Sequence, residues 1–95
     1  AMKELYPVVA EIQESGYYTV EFPDFPELND PELSYKTLTE VMDYGEQKIE
    51  ERLRAIHAAG EYYPIPSKIA YLDFGERHPV AFYIPVNMTD IKEDT

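Results

Sequence analysis

The sequence predicts an α+β fold: a two-layer sandwich in which a mainly antiparallel sheet of three to five strands is covered on one face by one long helix. Three observations lead there. Residues 5–22 alternate apolar and polar side chains on both sides of a turn signal. Residues 37–60 place small and apolar residues at a helical period. Residues 80–86 return to alternation. The expected order is β-β-(β)-α-(β)-β, the bracketed strands being short. A half-buried sheet and an amphipathic helix each have one apolar side, and each buries the other's.

The first strand is read from LYPVVAEIQE, residues 5–14, with Tyr6, Val8, Ala10 and Ile12 on one face and Val9, Glu11 and Gln13 on the other. Pro7 has no N–H, so the start of this strand is expected at an edge or outside the ladder. Glu14-Ser15-Gly16 is a turn signal, with Gly16 free to take positive φ. Tyr18, Val20 and Phe22 then line one face of a second strand, and Tyr17, Thr19 and Glu21 the other. Strand, tight turn and strand make a hairpin. PDFPELNDPELSY follows, with three prolines that stop a regular strand or helix; a short third strand is expected at Glu27–Asn29.

Thr37-Leu38-Thr39-Glu40 fits a capping box, Thr37 as N-cap and Glu40 three residues on. Leu38, Val41, Met42, Gly45, Ile49, Leu53 and Ile56 form the apolar stripe of the helix, and Gly60 suits the residue just past its end. Gly45 in mid-helix costs about 1 kcal/mol relative to alanine; close approach of the helix to the sheet would explain it. EYYPIPSK is a proline-restricted link, Ile69–Leu72 a further short strand, and DFGERHP a turn. Val80, Phe82, Ile84 and Val86 share one face of the last strand, where Pro85 marks a free edge or a bulge. NMTDIKEDT is expected to fray. With Ala1 set aside, one domain spans 2–88 and a flexible acidic tail 89–95. The sheet face away from the helix would carry Val9, Tyr17, Thr19 and Ala81 or Tyr83, a partly apolar surface that favours self-association or a partner.

The 95 residues include 19 acids and 8 Lys or Arg, for a net charge of −11. Residues 1–36 hold eight acids against two bases, so −6 of that charge lies ahead of the helix. Such a surface repels phosphate and attracts a basic protein. There is no cysteine, and hence no disulfide or thiolate site. No apolar run spans a membrane and no signal peptide is visible, which points to the cytoplasm. No nucleophile–base set, phosphate loop or metal-ligand spacing is recognisable, so no cofactor is expected. His57 near the helix end and His78 in a turn read as structural. Glu11, Glu46 and Asp73 are the acids that a metal-dependent hydrolase could draw together, though no spacing forces them to meet. Tyrosine is abundant, with nine residues, and an outward tyrosine either packs across strands or anchors a partner. The acidic, aromatic corner after the hairpin, with Tyr17 beside it, is the candidate partner site: Tyr17, Asp24, Phe25, Glu27, Asp30 and Glu32. It reads equally as a solvated loop with Phe25 tucked beneath it.

YPVVAEIQESGYYTVEFPDFPEL, TLTEVMDYGEQKIEERL and GEYYPIPSKI, taken in order, resemble the HicB antitoxin family over about residues 5–70. The most specific pieces are Gly16 to Pro26 and Thr37 to Glu40. The resemblance implies a partial RNase-H-like fold. It also implies an antitoxin that neutralises, by contact, a HicA-type toxin: a small basic mRNA-cleaving ribonuclease. Two features depart from the family pattern. Glu27-Leu28 stands where Gly-Cys is common, and only nine residues follow Val86, too few for the DNA-reading module many members carry. Direct nucleic-acid binding by this chain is therefore not expected, and a homodimer or higher homo-oligomer is. The other readings are a self-associating module without a toxin and a divalent-metal RNase-H-like nuclease.

Overall fold

A computed structural model describes residues 3–93. Three strands form one antiparallel sheet in the order β2-β1-β3, where β1 is Lys3–Ile12, β2 is Tyr18–Glu21 and β3 is Val80–Asn87. The long helix α1, Leu38–Ala58, lies on one face. The expected α+β arrangement is what the chain adopts.

The hairpin turns where Gly16 takes φ +87°, and β1 and β2 pair from Val9↔Glu21 to Ile12↔Tyr18. On its other side β1 pairs with β3 from Lys3↔Asn87 to Ala10↔Val80. Pro7 lies within the ladder, opposite Tyr83, but the start of β1 has a neighbouring strand on one side only, the edge position expected for it. The register explains why a proline is tolerated there. Pro7↔Tyr83 and Leu5↔Pro85 fall on the same alternation, so both prolines can take non-hydrogen-bonded pairs, where no N–H is needed. Beyond β1's pairing with β2, Pro7 has no strand on its far side to disappoint, and Pro85 lies on an edge strand.

The two short strands anticipated from sequence are instead single 3-10 turns, Pro26–Leu28 and Ile69–Tyr71. Pro26 supplies the fixed φ that begins the first turn. The Asn29 side chain then accepts a hydrogen bond from the Phe22 N–H at 2.7 Å, closing the loop on itself. The backbone that does extend the sheet comes later: Tyr35 exchanges two hydrogen bonds with Tyr18, of 2.7 and 2.9 Å.

The helix begins as the capping residues predict. Thr37 Oγ1 accepts from the Glu40 N–H at 3.1 Å, and the Glu40 carboxylate accepts from the Lys36 N–H, one residue earlier than the standard box. It ends in a Schellman motif: Glu61 N–H donates to Ile56, Gly60 N–H to His57, and Gly60 has φ +69°. Val41, Gly45, Ile49, Leu53 and Ile56 are buried, whereas Met42 is half exposed and stands off the stripe. Gly45 lies tight against the sheet. A Cβ there would lie 2.6 Å from Ile84 Cδ1, so the sequence-based reason for this glycine holds.

The core joins this stripe to Tyr6, Val8, Ala10, Ile84 and Val86 of the sheet and to Phe22 just past β2. It also takes Met88 and Ile91, which corrects the expectation of a frayed C-terminal segment. Residues Met88–Glu93 form a second helix, α2, whose apolar residues are buried; residues 94 and 95 of the expected tail, and Met2, lie outside the described residues. The face away from α1 is also less open than expected. Pro7 and Val9 are buried there, and hydrogen bonds bring the link of residues 61–79 across to it, Ile69 N–H to Tyr83 Oη at 2.8 Å and Arg77 to Glu11 at 3.5 Å. Tyr17 and Tyr83 remain exposed.

Candidate functional site

The six residues singled out from sequence divide into two groups. Asp24, Phe25 and Glu27 are used internally. Phe25 is 1% exposed and packs against Tyr6 with ring centroids 5.0 Å apart, so it cannot anchor a partner. The loop reading of this residue is the one the structure supports. Asp24 accepts two hydrogen bonds from Ser67, from the N–H at 2.9 Å and the hydroxyl at 2.5 Å. This latch ties the corner to the link 43 residues further on. Glu27 is paired with Arg52 of α1 at 2.6 Å. Burial opposes the charge of Glu27, but the Arg52 hydrogen bond, its own backbone N–H and the guanidinium charge outweigh it, and the carboxyl lies below its ordinary value.

Tyr17, Asp30 and Glu32 form the second group and remain at the surface. Asp30 Oδ1 accepts from the Glu32 N–H at 3.0 Å, which sets the loop's shape and leaves both carboxylates facing outward. Asp30 also lines a groove of about 470 Å³ on the sheet face away from α1. Val9, Glu11, Thr19 and Glu21 form its strand side, Asn29 to Pro31 one wall, and Arg77 the other. Glu11, Glu21 and Arg77 were not part of the sequence-derived partner site. The signal for the two glutamates was available: they share one face of a hairpin. Arg77, 66 residues from Glu11, carried none.

A second acidic surface runs along the outer face of α1, where Asp43, Glu46, Gln47, Glu50, Glu51 and Arg54 border a shallow depression. Glu46 is thus on the helix side of the sheet and Glu11 on the other, so these two do not converge. Asp73 accepts from the Gly75 N–H at 2.9 Å in its own turn. Among the described residues no group of three His, Asp or Glu side chains is placed to hold a metal ion. His57 stacks on Tyr63 at 13° between ring planes, and its Nδ1 shares a 2.8 Å hydrogen bond with the Tyr63 hydroxyl. His78 lies exposed in the turn before β3.

The fold therefore defines a small α+β protein with acidic surfaces on both sides of its sheet. Compared with known proteins, the chain matches no family model, no curated protein and no solved structure. No helix among the described residues is long and apolar enough to cross a membrane.

Proposed function

We propose that this chain is a binding protein, a HicB-like antitoxin that neutralises a basic, RNA-cleaving HicA-type toxin in the cytoplasm by covering it. It makes and breaks no bond itself and needs no cofactor. The observation that supports this best is the distribution of charge: −11 over 95 residues, with carboxylates lining the groove on one side of the sheet and the outer face of α1 on the other. Opposite charge steers the encounter and shape completes it. The motif resemblance and the strand–strand–helix–strand order agree with the reading.

The test is a titration of the full chain against a HicA-type protein, should a short basic one be encoded beside it, with RNA cleavage by that protein as the second readout. Inhibition at an equimolar ratio is expected, with affinity falling as salt rises, because the screening length shrinks from about 10 Å at 0.1 M to about 3 Å at 1 M. No binding at low salt would end the antitoxin reading.

One observation favours self-association alongside or instead. In a chain this acidic, β3 lies at the sheet edge and carries no charge over eight residues, with Tyr83 and nearby Leu5 exposed. An uncharged edge is where two such molecules repel least. A sedimentation mass of one protomer at high micromolar concentration would dismiss it.

A further inference from the structure

We propose that the small pocket between the start of β1, the link after α1 and the start of α2 receives one lysine side chain of a basic protein partner. This rests on the protein-binding role above and gives that role an anchor point.

Strand register and hydrogen bonds build the pocket. Glu4 shares the alternation of Tyr6 and Val8 and pairs with Val86, so it lies on the α1 face of the sheet, where the core ends. It is half-buried. Residues 63–66 of the link and Met88 of α2 line the pocket with it, around a volume of about 280 Å³. The link is pinned along this stretch. The Tyr63 hydroxyl shares a 2.8 Å hydrogen bond with His57 Nδ1, Tyr6 Oη donates to the Pro64 carbonyl at 2.8 Å, and Ser67 donates twice to Asp24. Pro64 and Pro66 also have fixed φ. The walls are therefore set before a ligand arrives, and binding costs little further ordering.

Size and chemistry select the occupant. The volume lies below the roughly 300–1,000 Å³ of small-molecule sites and suits a single side chain. The lining is apolar apart from the Tyr6 and Tyr63 hydroxyls, which are already bonded to Pro64 and His57, and the Glu4 carboxylate. Among the described residues no lysine or arginine is paired with Glu4. Burial, and after it the Glu4 charge, raises the Tyr6 phenol, which places that carboxylate close to the bonded end of the Tyr6 ring. A phosphate or carboxylate ligand would meet a like charge. A wholly apolar side chain would leave the carboxylate desolvated and unpaired. The complementary group is a cation on an apolar stem, whose stem covers the prolines, Ile65 and Met88 while its tip reaches Glu4. One carboxylate satisfies a compact ammonium, but it leaves most donors of a guanidinium fork without partners in an apolar pocket. Ile65, 89% exposed, offers further apolar surface to the chain that carries the lysine.

The probe is Nα-acetyl-lysine methylamide, titrated at low salt into the intact isotope-labelled chain and followed by NMR. The norleucine and arginine methylamides run alongside: the first keeps the apolar stem without the charge, the second keeps the charge in another shape. Saturating shifts are expected at Tyr63, Ile65 and Met88, with the lysine compound binding about fivefold more tightly than either other. Glu4→Gln should weaken it about fivefold, whereas Glu46→Gln, the same charge change on the outer face of α1, should cost less than about twofold. Ile65→Ser, at an exposed position the fold does not need, should weaken it as well. Absence of saturating shifts at these residues, norleucine or arginine binding as tightly as lysine, or equal losses from the two glutamate variants would each overturn the pocket. If the pocket fails while a HicA-type protein still binds and is inhibited, the antitoxin reading survives. If lysine seats in the pocket and no such protein binds, the pocket stands and that reading falls.

Discussion

Tyr6 illustrates how a single hydroxyl couples distant parts of this chain. Its ring is packed on Phe25, and its hydroxyl donates to the Pro64 carbonyl at 2.8 Å, 58 residues away. Burial, then the charges of Glu4, Asp24 and Tyr63, push the phenol from 10.0 up to about 12. The folded state therefore holds this proton more tightly than the unfolded chain. The stabilisation is complete below pH 10 and is lost as pH rises through about 12. Tyr6→Phe should cost about 1 kcal/mol at neutral pH, by leaving the Pro64 carbonyl without its donor. It should also flatten the fall in stability between pH 10 and pH 12, read from urea midpoints at several pH values. An unchanged slope would show that this phenol does not titrate as described. The same distance in sequence limited what could be read of the candidate site. Asp24-Phe25-Pro26-Glu27 reads equally as an exposed corner and as a loop with Phe25 tucked beneath it, because nothing nearby in sequence decides between the two. Its partners are Ser67, Arg52 and Tyr6, and only the fold brings them there. Asp30 and Glu32, whose hydrogen bond is local, stay where the sequence places them.

At the scale of elements, what depends on neighbouring residues was legible. The cap at Thr37, the Schellman end at Gly60 and the hairpin at Gly16 all arise within a few residues. What depends on pairing partners was not: whether Pro7 lies at an edge or outside the ladder is open until its register with β3 is known, and Ile69–Leu72 reads as a strand until its lack of a partner is. Gly45 joins the two kinds, since its place on the stripe is local and its necessity is tertiary. Alanine there gains about 1 kcal/mol of helix propensity. Its methyl, however, must displace Ile84 Cδ1 from 2.6 Å in a packed core, a cost of about 1–3 kcal/mol. Packing should prevail, so that Gly45→Ala destabilises by about 1 kcal/mol in urea unfolding. In an Ile84→Val background the obstructing carbon is gone and the other neighbours, at 3.5 and 3.8 Å, are ordinary contacts. There the same substitution should be neutral or stabilising. Equal costs in both backgrounds would place the strain elsewhere.

For the molecule as a whole, the C-terminal residues matter more than their composition suggests. MTDIKE is polar and only six residues long, and a helix of that length does not stand alone in water. It holds because Met88 and Ile91 enter the core beside α1 and the sheet, with Ile91 1% exposed. In a domain whose net stability is of the order of 5–15 kcal/mol, one such residue is a large share. Ile91→Ala should cost about 2–5 kcal/mol, as for other buried isoleucines. Lys92→Ala, one exposed residue further along, should stay within about 0.5 kcal/mol of the parent. Urea midpoints distinguish the two outcomes directly, and amide exchange at Met88–Glu93 gives an independent check. If Ile91→Ala matched Lys92→Ala, the segment would be a loose tail after all. If it falls as expected, α2 completes the same core on which β1 and β3 rest. Any assay of partner binding must then use a chain that keeps it, since loss of affinity on truncation would report unfolding rather than a missing contact.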